Sequence, residues 1–306
     1  MGNEDSITEI ISFGFAGWRK DKLMLKYLLV SIILFTLFSF GMLYFSLNFS
    51  LGLANNTITT SEEVTSMLIA FYAGIAPLII VMGLIAIFLS YLIIGRALNL
   101  CGRKSIKLNL VRFIKMILIN IAQSIIAFLS LFNIKFLLIG VVGFILTVVG
   151  FIAMPIGLLA GVILTMIGVI LSIIYFVIVI YNTIRLSLGE IIFVEKEESM
   201  IRALKESWIV TKGNVWTIIL VEIVVVVIAS IISIVAEIPV MLYTIFQTVG
   251  SVVAGSTASE IMFLNDPLFY ILYIPSFVVT GYLVVVGSSV FAMLYVVLSK
   301  GKKKAK

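Results

Sequence analysis

From Phe136 to Ile184 the chain carries no charged side chain, a tract about twice the ~20 apolar residues that a helix needs to cross a ~30 Å hydrocarbon core. Pro155 and Gly157 divide it. Further apolar segments of crossing length run over 27–49, 67–94, 116–132, 215–235 and 267–298. Hydrophobic residues make up 62% of the 306 positions and charged ones 12%, against roughly half and a quarter in an ordinary soluble domain. Almost all of the chain is consumed by these segments, so no polar block of ~100 residues remains for a soluble catalytic domain. The expected fold is all-α, a polytopic transmembrane helical bundle of about six spans with cytoplasmic interfacial amphipathic helices. It forms one membrane domain over 1–306.

The basic residues orient the spans. Arg19, Lys20, Lys22 and Lys26, the cluster from Arg96 to Lys115, then Arg185, Lys196, Arg202, Lys205 and Lys212, and finally Lys300 to Lys306 should share the cytoplasmic side. The 50–66 connection holds Glu62 and Glu63 without Lys or Arg, and the 242–266 connection holds Glu260 and Asp266 without a base, which marks both as external. Asn55-Asn56-Thr57 is a glycosylation sequon on the first of them. The protein is therefore expected in the cell membrane, multi-pass, with both termini cytoplasmic. That parity requires an even number of crossings. Six result if 157–184 crosses and 136–153 is an embedded hairpin or a broken segment.

Glycines recur in the uncharged tract. "GFILTVVG" at Gly143–Gly150 is echoed by "GVILTMIG" at Gly161–Gly168, and such spacing lets helix backbones approach closely. Packing inside the protein is the first reading, with a lined pore or a dimer face as alternatives.

The stretch "SMIRALKESWIVTKGNVWTIILVEIV" joins an amphipathic helix to a span. Ile201, Leu204, Trp208 and Thr211 follow helical spacing, Ser207 lies within the same stretch, and Arg202, Lys205, Glu206 and Lys212 take other faces. Ser199 is placed to cap its start, Glu198 and Arg202 form an i,i+4 pair, Gly213 ends it in a left-handed conformation, and Asn214 caps the next span. The expectation for 199–213 is a helix lying in the membrane surface, its apolar side in the acyl boundary and its bases on anionic headgroups. The same face packed on the protein's own helices or on a partner is the alternative. A related helix is expected over 6–26, opened by the capping box "SITE" at Ser6–Glu9. With a third such segment at 106–115, the chain reads as a worn threefold repeat of an interfacial helix followed by two membrane segments.

The chemistry is narrow. The absence of histidine removes Ser-His and Cys-His catalysis and His-ligated metals, and a single cysteine, Cys101, allows neither an intrachain disulfide nor a thiolate cluster. No GxGD, GxxxxGK[ST] or strand-borne GxGxxG segment occurs. No catalytic residue, metal site or cofactor is assigned. Cys101 is read as a packing residue rather than a palmitoylation site, and the short myristoylation pattern at Gly2 and Ser6 as coincidental. No basic region precedes an early apolar core with a cleavage site, so a cleaved signal peptide is not expected. The net charge of +6 lies beside spans rather than on a soluble surface, so nucleic acid is not a partner. Membrane lipids are, together with a membrane-protein partner or a second copy of the chain.

Ionisable groups inside spans are costly, about 2.5–3.5 kcal/mol on the insertion scale, and so point to function. Glu222, eight residues beyond Asn214, should lie ~12 Å into the bilayer. Asn120 and Gln123 share a face at comparable depth, and Tyr181, Asn182 and Arg185 approach from the same side. These form a candidate polar cluster in which Arg185 partly neutralises Glu222. Its bland role is hydrogen-bonded glue between helices, and its functional role proton or solute handling.

Around "RLSLGEIIFVEKEESMIRALKESWIVTKGNVW" the chain resembles the multi-pass membrane domain named after glycerophosphoryl diester phosphodiesterases, and related uncharacterised prokaryotic membrane proteins. Ala203, Ser207, Trp208, Gly213 and Asn214 carry the likeness, after a Gly-rich tract ending near Arg185; it covers Gly140–Val224. The resemblance implies a stand-alone membrane module, because the family's hydrolase activity belongs to a separate barrel domain absent here. The expected function is a non-catalytic membrane module that organises lipids or partner proteins. The alternative is a small-solute or ion transporter or channel with a polar site around Glu222.

Overall fold

A computed structural model describes residues 3–55, 61–105, 107, 109–130, 135–196, 199–253 and 266–304. The described residues are helical, with no strand among them: α1 (Asn3–Ala16), a 3-10 turn (Gly17–Lys20), α2 (Lys22–Asn55), α3 (Ser61–Leu100), α4 (Leu110–Phe128), α5 (Lys135–Ala153), α6 (Leu158–Leu186), α7 (Gly189–Lys196), α8 (Met200–Val210), α9 (Val215–Val253) and α10 (Pro267–Lys304). Seven of them, α2 to α6, α9 and α10, are long and apolar enough to cross a membrane. The chain is a multi-pass membrane protein by length and composition. Asn56 and Thr57 of the sequon, Glu198, Glu260 and Lys306 lie outside the described residues. The chain divides into two compact units, one of Met1–Gly102 with Val221–Met293, the other of Arg103–Leu220 with Leu294–Lys306.

The first unit is organised at Asp21. Its backbone is extended, and its carboxylate Oδ1 accepts from the amides of Leu23 at 3.0 Å and Met24 at 2.9 Å, capping α2. Arg96, near the end of α3, donates Nε to the same oxygen at 3.0 Å and Nη2 to the other. The Arg96 guanidinium holds the Asp21 carboxyl down at about 2. The helix expected over 6–26 is thus divided by the turn after Ala16 and by this cap. Ser6 lies inside α1, which already includes Asn3, so the expected capping box does not open that helix.

Behind this junction Met24, Leu28, Leu89, Ile93 and Val285 are buried together, with Trp18 and Tyr282 against them. The Ser31 hydroxyl donates to the Gly281 carbonyl at 2.8 Å, and a Cβ on Gly281 would stand 2.5 Å from the Ile32 Cα. Pro77, Pro239 and Pro275 all sit inside continuous helices. Each removes one N–H and leaves one carbonyl without its helical donor, which a membrane helix tolerates.

In the second unit the uncharged tract folds back on itself through a turn at Met154–Gly157. Gly143 faces Gly168 and Ser172, Thr147 faces Gly168, and Gly150 faces Gly161 and Thr165. A Cβ on Gly168 would meet the Thr147 amide nitrogen at 2.4 Å, and one on Gly150 the Thr165 amide at 2.5 Å. Hydroxyls that would be orphaned in lipid are turned inward along their own helices: Thr147 to Gly143 O, Thr165 to Gly161 O and Ser172 to Gly168 O, each at 2.9 Å. The two echoed octapeptides are therefore the matched, antiparallel faces of one hairpin.

The same antiparallel course extends to the neighbouring helices. Asn120 on α4 reaches Glu190 on α7, the Asn182 amide on α6 reaches the Ala127 carbonyl and the Ser130 hydroxyl, and Tyr175 donates to the Phe128 carbonyl and lies beside Gly140. Moving forward along α4 and then α5, the partners move backward along α7 and then α6. So α4 and α5 follow one another along one arm of a long hairpin whose other arm is α6 and α7. The segment 136–153, expected as an embedded hairpin or a broken segment, is one unbroken helix. Its glycines sit at the packing seam, and no proline interrupts it before Pro155.

Candidate functional site

Arg185 lies in the last turn of α6 and is only 7% exposed. Its guanidinium carbon stands 3.8 Å from the centre of the Trp208 indole and 5.7 Å from that of the Tyr181 ring. Nη2 donates to the Trp208 carbonyl and Nη1 to the Tyr181 hydroxyl at 3.4 Å, while Nε has no partner among the described residues. The Arg185 carbonyl in turn accepts from Ser207 at 2.9 Å and Thr211 at 3.2 Å. One residue thus holds both the aromatic edge and the hydroxyl edge of α8. Planar stacking and forked donors are what a guanidinium supplies and an ammonium does not.

The face that α8 turns to this anchor is Ala203, Leu204, Ser207 and Val210, all buried, with Thr211 following. A Cβ on Gly189 would fall 2.6 Å from Leu204 Cδ2, so glycine there lets α8 close on α7. Lys196 and Glu206 pair across the same two helices. The expectation that Leu204 and Trp208 immerse in the acyl boundary gives way to its alternative: both pack on the protein's own helices, and Ile201 and Ile209 are the apolar residues left exposed. Ser199 stands at the N-cap position but makes no side-chain cap bond. Gly213 is left-handed at φ +85°, and the Asn214 amide bonds back to Thr211 O at 2.9 Å, which makes the sharp passage from α8 to α9.

The candidate polar residues divide among separate partners. Asn120 is bonded to Glu190 and to Met116 O, and Asn182 to Ala127 O and Ser130. Gln123 lines an open groove between α4 and α6 with Ser124, Ile125, Ala127, Phe128, Leu129, Val179 and Thr183, and its Oε1 is buried without a partner among the described residues. Arg185 directs its Nη donors to Trp208 and Tyr181. Glu222 belongs to the other unit; it is half-buried on α9 and has no hydrogen-bond or ion-pair partner among the described residues. The neutralisation of Glu222 by Arg185 is not among the interactions of either residue.

Sequence reasoning does not single out Glu190 or Ser130. A signal exists only for Glu190, an acid directly after the glycine that admits Leu204. A second polar closure joins Glu195 to Arg103 at 3.0 Å and to the Tyr295 hydroxyl, with Arg103 also on Ser299 at 2.7 Å. Among the described residues no three His, Cys, Asp or Glu side chains converge, so no metal ligand is assigned. Comparison with family models, curated proteins and solved structures finds no match for the chain.

Proposed function

We propose that the protein is a non-catalytic integral membrane module that organises lipids or partner proteins. The groove between α4 and α6 carries this reading. Its volume of about 760 Å³ lies within the ~300–1,000 Å³ range of small-molecule sites. Its walls are hydrocarbon apart from Gln123, Ser124 and Thr183, which suits an acyl chain. Lipids retained after purification, quantified by mass spectrometry, test it. Val179→Trp fills the groove and should lower retention at unchanged folded yield; equal retention in both proteins removes the groove from the proposal.

We place both termini on the cytoplasmic side, from the distribution of Lys and Arg. Two 19-residue helices in one arm extend ~57 Å at 1.5 Å per residue, almost twice the hydrocarbon thickness, yet the arm runs in one direction and so crosses once. With α4 amphipathic and bearing Arg112 and Lys115, we give the crossing to α5 in place of the 116–132 span expected from sequence, and the even count of six is kept: α2, α3, α5, α6, α9 and α10. In a Cys101→Ser background, Ile156→Cys should react with an impermeant reagent from outside the cell and Lys212→Cys only after permeabilisation. Seven separate crossings would reverse both results.

Transport of a small solute or ion is the second reading, favoured by Glu222, an ionisable group within a span and without a partner among the described residues. Proteoliposome uptake that Glu222→Gln abolishes, with lipid retention intact, would put transport first.

A further inference from the structure

A second groove, of about 460 Å³, lies wholly in the first unit between α9 and α10, lined by Glu237, Val240, Met241, Thr244, Ile245 and Tyr273. Its one charged group is Glu237, which has no hydrogen-bond or ion-pair partner among the described residues. The neighbouring carboxylate is engaged: Asp266 accepts from the Tyr243 hydroxyl and, at 2.9 Å, from the Leu268 amide. Thr244 donates its hydroxyl proton to the Val240 carbonyl at 2.8 Å, so it offers the groove only an acceptor oxygen.

Tyr273 lines the groove and belongs to an aromatic ladder. Tyr273 meets Phe269 edge-on at 5.0 Å and stacks on Phe277 at 5.6 Å, and Phe277 meets Phe40 at 4.9 Å. A carboxylate, one acceptor hydroxyl, one aromatic ring and hydrocarbon in one groove match a cation that is itself hydrophobic. A divalent metal ion would require several oxygen ligands and finds one carboxylate. A phospholipid headgroup would bring its phosphate along, and no Lys or Arg lines the groove to receive it.

We propose that the Glu237–Tyr273 groove binds hydrophobic organic cations, ammonium or phosphonium compounds that carry their own hydrocarbon bulk and no compensating anion. The full chain in phosphatidylglycerol nanodiscs, titrated with tetraphenylphosphonium by equilibrium dialysis, tests the site. Wild type should show saturable binding. Glu237→Gln should weaken it about tenfold or more through loss of the ion pair, and Tyr273→Leu about three- to tenfold through loss of the ring face. Glu9→Gln removes an equal charge from α1 and should bind as wild type does. Equal affinity of wild type and Glu237→Gln, or an equal loss in Glu9→Gln, overturns the site. The ratio of wild-type to Glu237→Gln affinity should be the same in phosphatidylcholine nanodiscs, because surface-potential enrichment of the cation cancels in the ratio; a ratio that collapses there through competition by that lipid would overturn the choice of a free cation over a headgroup. If Glu237→Gln fails to give monodisperse protein, Tyr273→Leu decides alone, and its unchanged affinity counts against the proposal.

Discussion

Gly168→Leu should abolish recovery of folded protein. The position has no room for any side chain: a Cβ would stand 2.4 Å from the Thr147 amide nitrogen, 2.5 Å from its hydroxyl and 2.8 Å from the Gly143 carbonyl. Two of those atoms are backbone and cannot swing aside, so the arms must separate. Separation strips the seam of its dispersion attraction in a solvent that offers no hydrophobic force to restore it. Overpacking by a single methyl costs about 1–3 kcal/mol and an isobutyl group more. Gly168→Ala should therefore lower the thermal midpoint measured in detergent, and Gly168→Leu should remove the transition. Gly157, in the turn, has a negative φ and open space within 4 Å of where a methyl would stand, so Gly157→Ala should lie within about 0.5 kcal/mol of wild type. A Gly168→Leu protein that melts with Gly157→Ala would show that the seam does not hold the hairpin.

The seam also explains what a sequence can and cannot deliver. The echoed octapeptides announce close packing because a glycine spacing is a local property of one helix face. Their meeting in antiparallel register depends on the turn at Met154–Gly157, whose proline and glycine are visible in the chain. The expectation of a hairpin or break at 136–153, where the structure has one unbroken helix, has another source. Hydropathy registers length and polarity, and α4 and α5 both pass that measure, so the even parity set by the basic residues could be met only by withholding a crossing from one of them. Only the pairing of Asn120 with Glu190 and of Gly143 with Ser172 reveals that they share one arm.

Asn120, Asn182 and Arg185 find partners other than the expected ones, and Glu222 has no hydrogen-bond or ion-pair partner among the described residues. Depth along a helix follows from a 1.5 Å rise, so Asn120, Gln123, Asn182 and Arg185 can be assigned a common level from sequence. Direction around the helix is set by tertiary packing, and that sends Asn120 to α7, Asn182 to the end of α4 and Arg185 to α8. The amphipathic pattern of α8 is likewise indifferent to what covers it. An apolar face at helical spacing is equally served by acyl chains or by the protein, and Gly189 is what admits Leu204 to the protein.

Arg185→Ala should release α8 from the end of α6, at a cost of about 3 kcal/mol. The variant loses a cation over an indole face and a charge-assisted bond to the Trp208 carbonyl, which is left without that donor. Fluorescence separates this anchor from a helix resting on lipid. Trp208 is half-buried, one face covered by the guanidinium and an edge met by Tyr181 at 6.5 Å, whereas Trp216 on the first turn of α9 is 82% exposed. In single-tryptophan proteins placed in bilayers with brominated lipids, Trp216 should be quenched strongly and Trp208 weakly. Arg185→Ala should raise Trp208 quenching toward that of Trp216. Arg185→Lys should fall between, because it keeps the charge and loses the planar contact. Strong quenching of Trp208 in the wild-type background, unchanged by either substitution, would return α8 to the membrane surface and leave Arg185 without the role its geometry gives it.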